Sequence, residues 1–177
     1  MNTLIIICGL SFAGKSTLGN AIAARLGYEQ VDVDRTKEKL YGRDVDDEHI
    51  TREQWDTIYA ETDALIVDHL DSGKNVVDAS RNFTRTERNH IRGIVTNRGH
   101  RSVTVHVNTP ESVARQRWKA NREHPSRRDV TDTDFEAIVR AWEPPLDDEQ
   151  PLVFGLDEAI EAWIAKHIDV LTDFTFA

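Results

Sequence analysis

Apolar runs and apolar stripes take turns along this chain. Thr3–Cys8 is a continuous apolar run, the pattern of a parallel strand covered on both faces. Leu18, Ala21, Ile22 and Leu26 then share one helical stripe between Lys15 and Leu26, and Gly27 supplies the stop. Tyr28–Val33 reads as a second strand, with Val31 and Val33 facing one way and Asp32 and Asp34 the other. A short helix is expected over Arg35–Tyr41, and a loop over the acidic stretch Gly42–His49. Trp55, Ile58, Tyr59, Thr62, Leu65, Ile66 and Leu70 recur at helical spacing over Thr51–Leu70, and Asp71-Ser72-Gly73 ends that helix. Lys74–Asp78 is a third strand, Thr84–Asn97 a helix closed by Gly99, and Arg101–Val107 an alternating fourth strand. Pro110 opens a helix running towards Glu123, His124–Val130 is a polar loop, and Thr131 caps a helix that Pro144-Pro145 stops. A short strand near Leu152–Phe154 and a helix from Leu156 to about Leu171 finish the pattern.

Strand and helix alternate throughout, which predicts an α/β fold with a mostly parallel, five-stranded sheet. The chain has 177 residues, and no repeat, low-complexity tract or linker interrupts it, so a single domain over 1–177 is expected. No stretch approaches the roughly 20 apolar residues that cross a bilayer. The lone cysteine, Cys8, cannot form an internal disulfide and reads as a small core residue. A cytoplasmic protein with no membrane partner is the expectation.

Charge adds a complication. The net charge is −9, yet Ala79–Arg128 holds twelve Lys/Arg against three Asp/Glu, a +9 stretch in an otherwise −18 chain. A segregated balance of this kind leaves room for anionic ligands. Each arginine taken singly is more simply a solvated helix face.

The chemistry starts at Gly9-x-x-x-x-Gly14-Lys15-Ser16, which lies between a predicted strand and a predicted helix. Glycines let the backbone turn its N–H groups onto phosphate oxygens, and the helix N-terminus adds a favourable dipole. Gly9, Ser11, Phe12, Ala13, Gly14, Lys15, Ser16 and Thr17 are therefore the candidate nucleotide-binding residues. Lys15 would bridge the β- and γ-phosphates, and the Ser16 hydroxyl would ligate Mg²⁺. Asp34, at the expected carboxyl edge of the second strand, is placed to accept the proton of an attacking hydroxyl, with Asp32 in reserve. Its plainer role would be to cap the next helix. Asp78, after Val76-Val77, matches the acid that closes a magnesium shell directly or through water. Ser80, Arg81, Asn82 and Thr84 follow it and could face a second substrate. Arg115, Arg117, Lys119, Arg122, Arg127 and Arg128 cluster on a flap, where Arg117 and Arg122 are the candidates for covering a transferred phosphoryl group. Trp118 beside them could stack on a base, although core packing is the simpler role.

This set resembles the small P-loop kinases of the polynucleotide 5′-kinase, gluconate kinase, chloramphenicol phosphotransferase and zeta-toxin neighbourhood. The resemblance runs from about residue 3 to 143 and rests on "GLSFAGKST", "VDVDR", "VVDASRNFTRTERN" and the arginine-rich flap. It implies a P-loop three-layer α/β/α sandwich with a helical lid at about 115–130, ATP and Mg²⁺ as cofactors, and transfer of the γ-phosphate to a hydroxyl. It also implies Asp34 as the base, Arg35 or Lys37 at the acceptor, Asp78 in the metal shell, and Arg88 in the helix that follows. Arg81 and Asn82 complete the expected acceptor set. The acceptor stays open between a small hydroxylated molecule and a nucleic acid 5′-OH end. The alternative reading is an ATP-binding switch or assembly factor without a phosphorylated acceptor. "WEPP" at Trp142–Pro145 has no mechanism at this level.

Overall fold

A computed structural model of the chain describes residues 1–43, 45–125 and 129–172. Its centre is a parallel sheet of β1 (Thr3–Cys8), β2 (Glu29–Val31), β3 (Val76–Asp78), β4 (Arg101–Asn108) and β5 (Leu152–Gly155), in the order β2-β3-β1-β4-β5. Every residue of β1 is buried, because alternate side chains enter two different cores. Ile5 and Ile7 pack on one face with Leu18 and Ile22 of α1 (Lys15–Leu26) and with Trp163 of α7 (Ile160–Lys166). Leu4 and Ile6 pack on the other face with Ile66 and Leu70 of α3 (Arg52–Asp71) and with Ile91 and Val95 of α4 (Arg85–Asn97). The layers are thus helix, sheet, helix, as period-2 alternation in a doubly covered strand requires.

The remaining described helices are α2 (Val33–Tyr41), α5 (Glu111–Glu123), α6 (Asp132–Ala141) and α8 (Ile168–Thr172). Their ends follow local chemistry. Thr51 and Thr84 open α3 and α4 with capping boxes to Gln54 and Glu87, and Thr131 opens α6 by accepting from the Asp134 N–H. Trp163 Nε1 donates to the Val153 carbonyl at 2.7 Å, which ties α7 to the sheet edge.

The third strand begins at Val76, not Lys74, and three other elements differ from the expected pattern. The second strand stops at Val31, since its neighbour β3 is only three residues long and the register pairs Val31 with Asp78. With no partner strand beyond it, the chain turns at Asp32 and α2 begins at Val33, not Arg35. Asp34 therefore sits in the first turn of a helix, not on a strand edge. The C-terminal helix is broken in two at His167, and Leu156–Ala159 is loop.

Candidate active site

The loop after β1 is shaped by backbone geometry that side chains resist. Gly9 has φ +151°, and a Cβ there would lie 2.9 Å from the Val107 carbonyl oxygen. Gly14 has φ +112° and forms the left-handed N-cap of α1. The Ala13 carbonyl is held from outside by Thr109 Oγ1 at 2.8 Å and Arg117 Nη1 at 2.9 Å. β4 and α5 thus brace the loop from behind.

Ser11 through Thr17 line a cavity of about 890 Å³, together with Asp32, Asp34, Ser80, Phe83, Arg117 and residues of the β5–α7 turn. Lys15 Nζ donates to the carbonyls of Gly9 and Leu10 at 2.9 and 3.0 Å and lies 4.6 Å from the centre of the Phe83 ring. The Ser16 and Thr17 side chains face outward at the start of α1. Asp32 caps α2: its carboxylate accepts from the Asp34 N–H at 2.8 Å and leaves Asp34 on the exposed first turn.

The sheet order arranges these residues along a line. β2 and β5 are the two edges, four strand spacings or ~19 Å apart. Asp32 and Asp34 follow β2, the glycine loop follows the central β1, and Phe154, Leu156, Glu158 and Ile160 belong to β5 and the turn after it. All of these groups lie at the carboxyl ends of parallel strands, where such sheets bind ligands. The arrangement offers a largely apolar end, a middle lined by the glycine loop and a carboxylate end. Thr109, Asn121, Phe154, Leu156 and Ile160 were not singled out by motif. Their position at the carboxyl ends of β4 and β5, in the turn after β5, or on the helices that follow is the signal that could have found them.

Several expected site residues lie elsewhere. Arg88 is fully buried, forming a bidentate pair with Glu149 at 2.8 Å and donating to the Glu143 carbonyl at 2.9 Å. It is a structural bolt, not an acceptor ligand. Burial alone would push the Glu149 carboxyl up, but hydrogen bonds from Arg88 and Arg92 outweigh it and bring its pKa to about 2. Lys37 is also fully buried and pairs with Asp47. Arg81 pairs with Asp63, and its Nε lies 3.5 Å from Asp78. Burial works against the Arg81 charge, but Asp78 and Asp63 more than offset it and raise its pKa. Asn82 is buried and donates from Nδ2 to Asp78 at 3.0 Å. Arg35 is exposed on α2 and is not part of the cavity wall.

Asp78 itself is fully buried. Its Oδ1 accepts from Ser80 Oγ at 2.9 Å and its Oδ2 from Asn82, so it organises the loop after β3 and does not face the cavity. Ser80 in turn accepts from the Val33 N–H at 3.1 Å, linking that loop to the start of α2.

The two flap arginines separate. Arg117 stays over the glycine loop. Arg122 turns away, pairing with Asp129 and Asp132 at 3.0 and 2.9 Å and lying 4.4 Å from the Trp118 ring. Trp118 stacks on Phe135 at 4.3 Å with only 3% of its surface exposed, so it is core and not a base platform. Ser126, Arg127 and Arg128 of the expected lid lie outside the described residues.

"WEPP" acquires a role. The Glu143 N–H donates to the Phe83 carbonyl at 3.0 Å, its carboxylate accepts from the Arg85 N–H at 2.7 Å, and its carbonyl accepts from Arg88. The segment clamps the loop that carries Phe83 over Lys15.

A family model described as an AAA domain matches residues 4–145. Shikimate kinase of Persephonella marina is 26% identical over 121 residues, 68% of this chain and 70% of that protein. Among solved structures, Chaetomium thermophilum Kti12 in complex with ADP-AlF3 superposes with TM-score 0.77 at 16% identity, covering 96% of this chain and 99% of that one. The Mycobacterium tuberculosis APS kinase CysC in complex with AMPPNP and APS gives TM-score 0.68 at 18% identity, with 96% and 97% coverage. At these identities the two structures speak for the fold alone.

Proposed function

The chain belongs to the AAA-domain family, and on that premise we propose that it is a P-loop kinase that moves the γ-phosphate of ATP to a hydroxyl acceptor. The observation that carries the reading is the shared wall: the glycine loop and Asp34 line one cavity. The base of ATP fits the apolar end, where Phe154, Leu156 and Ile160 lie. The tail then reaches the loop amides and Lys15, as helix N-termini and glycine loops hold phosphate. Arg117, already over the loop, neutralises charge that builds on the transferred group.

Asp34 orients the acceptor hydroxyl and takes its proton as the oxygen attacks phosphorus. Its backbone N–H is bound by Asp32, which holds this first turn of α2 at the cavity wall. A divalent metal fits the donor set, because the exposed Ser16 hydroxyl and the Asp32 carboxylate both line the cavity. Asp78, whose oxygens are taken by Ser80 and Asn82, would act on that ion only through intervening groups. Bound Mg²⁺ would supply positive charge along the phosphates.

The reading is tested by replacing Asp34 with Asn. Transfer of labelled γ-phosphate to a hydroxyl acceptor should fall by about 10²–10⁴, while ATP affinity measured by calorimetry changes little. Full transfer by D34N would remove the assigned base. Tight ATP binding and slow hydrolysis without any phosphorylated acceptor would favour the switch reading instead.

A further inference from the structure

The glycine loop carries a bulky side chain at a place where its backbone suits glycine. Phe12 has φ +62°, a left-handed conformation in which Cβ crowds the following carbonyl oxygen. A bulky residue keeps such a backbone only where its surroundings hold it there. Left-handed residues set among ordinary ones turn successive N–H groups to one side, which makes a concavity for an anion. The φ of Phe12 therefore belongs to the phosphate-binding shape, and whatever holds it there bears on binding.

The apolar side chains of the loop part into two cores. Leu10 and Ala13 join the core over the sheet. Phe12, 8% exposed, instead joins Trp118 of α5 and Phe135 of α6, with Val130 and Val139 packed against them. The Trp118 and Phe135 rings lie 5° from parallel, and Trp118 Nε1 donates to the Val130 carbonyl at 2.8 Å. Arg115 pairs with Glu136 and lies 5.1 Å from the Phe135 ring, so charge as well as packing joins the two helices. Arg117 of α5 reaches the same point through the backbone, with Nη1 3.4 Å from the Phe12 carbonyl oxygen. Among the described residues, neither Trp118 nor any residue of α6 lines the cavity.

We propose that Phe12 is a positioning residue: its ring hooks the glycine loop onto the α5–α6 core and keeps the loop amides aimed at the β- and γ-phosphates. This rests on the nucleotide-binding part of the reading above. A glycine at this place would adopt the same φ freely and leave it as freely. The anchored phenylalanine trades that freedom for a preformed site, so less order has to be imposed when phosphate binds. Phe135, although outside the cavity wall, becomes part of the phosphate grip through Phe12.

The readout is the preference for a non-hydrolysable ATP analogue over AMP, which lacks the two terminal phosphates, measured by calorimetry. Phe12→Gly keeps the backbone allowed and removes the hook, and the preference should fall about tenfold or more. Phe12→Leu, which keeps an apolar anchor, should hold the preference within about threefold of wild type. Phe135→Leu should lower it several-fold, and the double variant F12G/F135L should fall no further than F12G, since both residues act through one contact. Urea unfolding of each variant checks the alternative that Phe12 only stabilises the fold: F12G would then lose stability with its preference unchanged. That result, equal losses in F12L and F12G, or additive losses in the double variant overturn the proposal. No preference for the ATP analogue in the wild-type protein would overturn the nucleotide-binding reading as well. Loss of the preference in F12G, alongside absent transfer to any acceptor, would uphold the hook and count against the kinase reading alone.

Discussion

The glycine loop and the arginine-rich segment both look, in one dimension, like places built for phosphate. In three dimensions they part company. The loop presents its backbone, so its shape follows from Gly9 and Gly14 at positive φ and from the start of α1. The arginines of Ala79–Arg128 act through long side chains, and those side chains find acids brought from elsewhere in the chain. Arg81 meets Asp63, Arg85 meets Asp148, Arg88 and Arg92 meet Glu149, and Arg98 meets Asp71. Much of the +9 stretch is thus paired across the fold with acids of the −18 remainder, and the chain keeps its net charge of −9. A motif that works through the backbone survives folding intact, whereas a cluster of charged side chains is redistributed by it.

The largest effects should come from breaking the loop's own machinery. Lys15→Ala removes the cation that donates to the Gly9 and Leu10 carbonyls, and phosphoryl transfer should drop by roughly 10²–10³ in steady-state kinetics. Gly9→Ala forces a Cβ against the Val107 carbonyl at a φ that side chains rarely adopt. Nucleotide affinity should fall with it, as calorimetry would record, while an alanine at Gly93, which has open space around it, should change nothing.

On the arginine side, Arg88→Met should leave Glu149 buried without its main partner. A loss of about 3–5 kcal/mol in urea unfolding is expected, with the kinetics of the surviving folded enzyme much less affected. If Arg88→Met instead abolished acceptor binding in a protein of normal stability, the structural role assigned here would be wrong.

Acidity sharpens the same contrast. The folded pKa of Glu149, about 2, lies below its ordinary 4.5, so its stabilising contribution is complete above pH 4.5. It should be lost as pH falls through 2, giving a slope in that window that Glu149→Gln flattens.

The smallest effect is expected at Arg122. Its partners Asp129 and Asp132 are half exposed or more, so solvent screens these pairs, and Arg122→Ala should leave urea unfolding almost unchanged and transfer within a few-fold of wild type. Arg117→Ala, over the loop, should cost more in transfer than Arg122→Ala. The reverse order would return the covering role to Arg122.

Much of the fold could be read in advance, and the reasons lie in particular residues. β1 announced itself because five apolar residues in a row suit only a strand with both faces covered. The helices starting at Arg52 and Arg85 carried their capping boxes in plain view, Thr51 with Gln54 and Thr84 with Glu87. β2 was overextended, since Val31 and Val33 alternate with Asp32 and Asp34 as a strand would. Only the three-residue length of β3, a property of the partner strand, ended the pairing. Asp34 nevertheless stayed at the cavity, because a helix start and a strand end occupy the same edge of the sheet. Asp78, read as a metal acid, was drawn inward by Ser80 and Asn82, hydrogen bonds that spacing does not reveal.

The chain's order alone determined the alternation of strands and helices and the glycine loop between β1 and α1. These depend on neighbours within a few residues, where covalent geometry, capping and periodicity act. The tertiary structure decided which charges remain available. Pairings such as Arg88 with Glu149, 61 positions apart, are chosen by packing that brings distant segments together. A buried charge must find its counterpart at whatever separation the fold imposes, because leaving it unpaired in the interior costs several kcal/mol.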